Sequence, residues 1–152
     1  MNMDKPKTIS QKCSYALRAI FELALRDSSE PVKIQDIATA QSIPPRFLEV
    51  ILAELNHAGF VSSKRGNDGG YSLALSADKL TVGEVIAYIQ GQPKAAAGRN
   101  SIAGQRRGDY AFGRMWEMLD TAVAQVYDKT TFADLIAMEM VQESDCTPNY
   151  SI

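Results

Sequence analysis

Arg46 and Glu49 stand three residues apart in the segment PPRFLEVILAEL, and Lys64 and Arg65 open the glycine-rich run KRGNDGG. On an exposed helix face, side chains of the first kind hydrogen-bond base edges in the major groove, arginine suiting guanine and glutamate the amino group of cytosine. Basic residues beside small glycines bring charge and backbone N–H groups up to phosphates or into a narrow minor groove. Catalysis has far less to work with. His57 is the only histidine, at the end of the same apolar segment, where a helix dipole favours it. No Ser/His/Asp or Cys/His grouping, phosphate loop or glycine-framed carboxylate pair accompanies it, and acids such as Asp134 and Glu139 suit a solvated helix surface, so an enzyme is not expected. Cys13 and Cys146 lie near opposite ends of the chain, which leaves no spacing of three or four soft ligands for zinc or an iron–sulfur cluster. No metal or other cofactor is expected, and both cysteines read as plain thiols.

Apolar periodicity indicates the elements that must position these residues. Ser10 to Arg26 contains neither Gly nor Pro, and Tyr15, Ala19, Ile20, Leu23 and Ala24 fall at helical spacing. Ile34, Ile37 and Ala38 mark a short second helix that stops at Ser42-Ile43-Pro44-Pro45. Pro45 suits the first position of a third helix, in which Phe47, Leu48, Ile51, Leu52 and Leu55 form an apolar stripe opposite Arg46, Glu49, Val50 and Ala53; Gly59 ends it. Phe60 to Lys64 and Tyr71 to Leu75 are β-compatible, with Gly66, Gly69 and Gly70 supplying the turn between them and Asn67-Asp68 tolerating it. Val82 to Gln90 reads as another short helix. Phe112, Met115, Trp116, Leu119, Val123 and Val126 then share one stripe of a long helix, suited either to pairing with a second copy or to an intrachain core. Thr130 or Thr131 caps a last helix with Phe132, Leu135, Ile136 and Met140.

The expected fold class is thus mainly α with a small β-hairpin wing: a winged helix-turn-helix plus a long C-terminal dimerisation helix. Its divisions are residues 1–90 for DNA binding, 91–108 as a flexible linker, 109–140 as dimerisation helices and 141–152 as a mobile tail. A chain of 152 residues, 45% hydrophobic and 22% charged, is long enough for one real core and excludes wholly disordered or collagenous classes. Sixteen Lys and Arg against eighteen Asp and Glu give a net charge of −2, which disfavours indiscriminate coating of nucleic acid but not site-specific binding. Nine basic and eight acidic residues precede or include Leu75, and seven and ten follow it, so the basic side is the one with the wing. With no apolar run of membrane-spanning length and a polar Met1 to Ser10, no membrane partner is expected and the location expected is cytoplasmic.

The stretches ISQKCSYALRAIFELAL, IPPRFLEVILAELNHAGFV, RGNDGGYSLALSADKLTVGEVI and TTFADL resemble the Rrf-two family of winged-helix transcription regulators over nearly the whole chain. The resemblance implies a homodimer on palindromic double-stranded DNA. Motif by motif, it places DNA contact on Lys12 and Tyr15, on Pro45, Arg46 and Glu49, and on the wing from Lys64, Arg65, Gly66 and Asn67 to Gly69, Gly70 and Tyr71. Dimerisation falls to Phe112, Met115, Trp116, Leu119, Val123 and Val126. The chain departs from the family in having Cys13-Ser14 where members often have Gly and Arg, and Asn67-Asp68 where many have Pro and Gly, which weakens phosphate attraction. Iron–sulfur members carry three clustered cysteines before the long helix, and residues 91–108 hold none. The resemblance is therefore nearest to the cluster-free, CymR-like repressors of cysteine metabolism. In that setting the terminal Tyr150, Ser151 and Ile152 imply a further partner, cysteine synthase (O-acetylserine sulfhydrylase), which captures isoleucine-ended peptides through carboxylate and side chain together. Two alternatives stay open: a thiol- or small-molecule-responsive regulator of other genes, and an interaction module that has lost DNA binding.

Overall fold

A computed structural model of the protein describes residues 9–27, 29–91 and 106–146. Helix α1 spans Gln11–Arg26 and begins where the Ser10 hydroxyl accepts the Cys13 N–H at 3.1 Å, a side-chain cap that satisfies one otherwise orphaned donor. Asp27, in the left-handed region at φ 41°, ends it. Helix α2 (Ile34–Gln41) stops at Ser42, also left-handed at φ 52°. Helix α3 (Pro45–His57) starts on its proline and closes in a Schellman motif: the Gly59 N–H reaches the Asn56 carbonyl and the Phe60 N–H that of Leu55, both at 3.0 Å. Gly59 sits at φ 84° to allow this turn.

Strands β1 (Val61–Lys64) and β2 (Gly70–Leu73) form the antiparallel hairpin, in register from Val61 opposite Leu73 to Lys64 opposite Gly70. They are shorter than the sequence suggests at both outer ends, since only the Ala74 N–H continues the ladder, to the Phe60 carbonyl at 3.0 Å. Val32 adds a third edge by exchanging backbone hydrogen bonds with Tyr71 at 2.7 and 2.8 Å. The hairpin is thereby fastened to the segment between α1 and α2.

Helix α4 (Val82–Gln90) and helix α6 (Phe132–Cys146) open on the same device. Thr81 accepts the Glu84 N–H while the Glu84 carboxylate accepts the Thr81 N–H, and Thr131 and Asp134 repeat the exchange at 3.1 and 3.0 Å. Of the two threonines the sequence offers for the last cap, Thr131 therefore serves; the Thr130 hydroxyl turns back to the Val126 carbonyl. Helix α6 runs to Cys146, six residues past the end expected at 140, because nothing from Val141 to Cys146 breaks a helix before Pro148.

Helix α1 is the centre of the core and packs on α2, α3, α4 and α6. Ile20, Ile37, Leu48, Leu52, Leu55, Leu80, Val85, Ile86 and Phe132 are all fully buried around it. Helix α5 (Asp109–Lys129) is different. None of its residues is buried, although Tyr127 packs partly against the core. The turn from α5 into α6 is stitched to the winged part through backbone bonds from Val82 N–H to the Thr130 carbonyl, Phe132 N–H to that of Leu80, and Ala133 N–H to that of Ala77, at 2.9–3.1 Å. No described helix is long and apolar enough to cross a membrane.

Candidate nucleic-acid interface

Helix α3 buries Leu48, Ile51, Leu52 and Leu55 and leaves Arg46, Glu49, Val50 and Ala53 exposed, so the polar face anticipated from the sequence is the solvent face. Phe47 does not join the core stripe as expected. It is 53% exposed and lies beside Val50, 58% exposed, because residue 47 sits one step outside the buried 48-51-52-55 face. The Arg46 guanidinium lies 5.9 Å from the Phe47 ring centroid, a stacking contact that holds the arginine along the helix surface. Pro45 occupies the first turn and is exposed.

Lys12 and Tyr15 come from the first turn of α1, alongside α3. Their roles differ from those of free contacts. The Lys12 ammonium is held at 2.7 Å by the Glu54 carboxylate, and both side chains are well exposed, so water and salt weaken the pair and a phosphate can compete for the lysine. Tyr15 is half-buried and packs against the core.

In the wing, Lys64, Arg65, Gly66 and Asn67 are exposed, and Gly66 takes φ 108° with open space beyond its Cα. Gly69 and Gly70 have another reason to be glycine. A Cβ on Gly69 would meet the Lys64 carbonyl, and one on Gly70 would meet the Val32 carbonyl; the first closes the turn and the second lets β2 approach Val32. Tyr71, half-buried in β2, is the residue that pairs with Val32 and so anchors the hairpin base. Sequence spacing marked these positions without separating those open to a partner from those that hold the loop's shape.

Phe112, Met115, Trp116, Leu119, Val123 and Val126 are 37–63% exposed along α5. A continuous exposed apolar row of this kind is typical of protein–protein contact surfaces. Tyr150, Ser151 and Ile152 lie outside the described residues, as does most of the expected linker.

Residues 9–138 match the Rrf2 family model, described as an iron-dependent transcriptional regulator. An HTH-type transcriptional regulator of Mycobacterium tuberculosis is 35% identical over 134 residues, 84% of this chain and 80% of that one. The solved structure of CymR, the global cysteine regulator of Bacillus subtilis, superposes with a TM-score of 0.73 at 30% identity, covering 86% of this chain and 96% of that one. IscR from T. potens gives a TM-score of 0.70 at 29% identity, covering 93% of each chain. These relatives are transcription regulators, and the fold is theirs: a mainly helical winged helix with a two-stranded wing.

The donor set does not fit an iron–sulfur cluster. The chain has two cysteines and one histidine. Cys13 is enclosed in the core on α1, and among the described residues no three His, Cys, Asp or Glu side chains converge. Burial also removes Cys13 from the class of accessible, reactive thiols, which weighs against the thiol-sensor alternative.

Proposed function

This chain belongs to the Rrf2 family of transcriptional regulators, and we propose that it is a cluster-free repressor that binds a palindromic operator as a homodimer. The observation that carries the reading is α5, a helix of 21 residues that buries none of them within its own chain while exposing a six-residue apolar row. A second copy covers such a row by the same patch, which is how a two-fold dimer forms. Two-fold symmetry then duplicates the surface made of Arg46, Glu49, Lys64 and Arg65 and matches it to the two halves of a palindrome. Repression follows from occlusion of a promoter, and engagement of both halves together supplies the avidity.

The finer reading is a link to cysteine metabolism. It is supported by the likeness to CymR, and the partner it proposes is cysteine synthase, engaging Tyr150, Ser151 and Ile152. Deletion of Ile152 is expected to abolish co-purification of cysteine synthase while the melting curve stays unchanged; retention of the complex would remove that link. The experiment for the main reading is selection of genomic fragments by the purified, metal-free protein at physiological salt. Enrichment of a palindrome is expected, upstream of sulfur-assimilation genes if the cysteine link holds. No enriched sequence would leave an interaction module without operator recognition.

A further inference from the structure

Beside the first turn of α3 lies an open recess lined by Gln11, Lys12, Tyr15, Phe47, Val50 and Ile51. Three of those residues come from the start of α1 and three from α3, so the recess adjoins the exposed row that holds Arg46 and Glu49. Its lining is apolar for the most part. Lys12 contributes its methylene stem, since its ammonium is engaged by Glu54 at 2.7 Å. Phe47 and Val50, each more than half exposed, leave apolar surface in water on the part of α3 that would enter the groove. Phosphate and the polar edges of bases gain nothing from such a surface. The major groove presents one apolar group of its own, the C5 methyl of thymine, and Phe is among the side chains that contact it.

We infer that the recess receives the C5 methyl group of a thymine in each operator half-site, and that Phe47 and Val50 are the residues that select it. This rests on the DNA-binding reading above and adds a specificity determinant that hydrogen bonding does not supply. The Arg46 guanidinium, stacked along the Phe47 ring at 5.9 Å, is held next to the recess, so the thymine neighbours the base that Arg46 reads.

The test replaces thymidine by deoxyuridine, one position at a time, in the operator selected by the full-length protein; each replacement removes one methyl and leaves every hydrogen-bonding group in place. Affinity is expected to fall about fourfold at one thymine of a half-site and about fifteenfold when both symmetry-related methyls are removed, from the usual value of burying one carbon. Phe47→Ala and Val50→Ala, both at exposed positions, are expected to bind the thymine operator more weakly and to lose the preference over uracil, whereas Phe47→Leu retains part of it. Equal affinity for all uracil operators would overturn the inference, as would a preference that survives in both alanine variants. In a parallel series, 5-methylcytosine replaces each cytosine; tighter binding there with no loss at any uracil would reassign the recess to a methylated cytosine and overturn it for thymine. A protein that selects no DNA at all fails the underlying reading, a result distinct from a protein that binds its operator yet ignores the methyl.

Discussion

Individual residues near the wing divide into those that shape it and those it presents. Gly70 belongs to the first group: its Cα lies against the Val32 backbone, where any Cβ would collide with a carbonyl that cannot swing away. Gly70→Ala is therefore expected to lower stability by about 1–3 kcal/mol, read by chemical denaturation, and to weaken operator binding with it. Arg65 belongs to the second group, exposed next to the open backbone of Gly66. Arg65→Ala is expected to leave the melting temperature unchanged, to weaken binding and to reduce the slope of log affinity against log salt by about one per half-site, hence about two for the dimer. A full slope with unchanged affinity would place Arg65 away from phosphate. Glu54 works in the opposite direction to the basic residues by occupying Lys12 in the free protein, so part of the lysine's attraction to phosphate is spent on exchanging one exposed partner for another.

At the scale of elements, α5 departs most from what a monomer needs. Its six-residue apolar row continues for about four turns and stays exposed along its length, while Arg114 and Glu117 pair at 2.8 Å on its exposed surface. Leu119, near the middle of the row, is 49% exposed. Leu119→Glu costs the isolated chain little and places a charge where two apolar rows would meet. Sedimentation is expected to show a monomer with unchanged helix content, and operator affinity is expected to fall roughly a hundredfold or more with loss of two-site engagement. A dimer that persists would place the interface elsewhere. By contrast, α4 and α6 need no partner to begin: each carries its own reciprocal threonine-acid cap.

For the whole molecule, the junction between the winged part and α5 is the element that would set half-site spacing in the proposed dimer. Three backbone hydrogen bonds join residues 77–82 to residues 130–133, and Thr81 bridges Thr131. Gly83, buried at the start of α4, lies against Tyr127 and Asp128 so closely that a Cβ would meet both the Asp128 carboxylate and the chain behind it. The junction is thus hydrogen-bonded and closely packed, and in the proposed dimer α5 pairing would bear on wing position through it. Gly83→Val is expected to separate α4 from α5 at a cost of about 2 kcal/mol, seen as a lower melting temperature, and to shift the preferred half-site spacing in a selection experiment. Unaltered spacing in a folded variant would show that the junction does not set it.

Local chemistry along the chain determined much of this architecture. Ser10, Pro45, Gly59 and Thr131 mark helix ends through hydrogen bonds or backbone angles that involve only near neighbours, and the apolar spacings of α1, α3 and α4 follow from the 3.6-residue period. The wing was legible for the same reason: charged and glycine residues gather where a turn must form. Position-specific burial was not, because it depends on what lies opposite. Phe47 reads as core from its type and is exposed because it sits one step outside the packed face of α3; Tyr71 and Gly70 read as wing contacts and are in addition fastened to Val32, 39 and 38 positions earlier in the chain. The pairing of Lys12 with Glu54 and the enclosure of Cys13 likewise arise only when α1 packs on α3. Sequence period assigns a residue to a face; the packing of distant segments decides whether that face is core, partner surface or open to the groove.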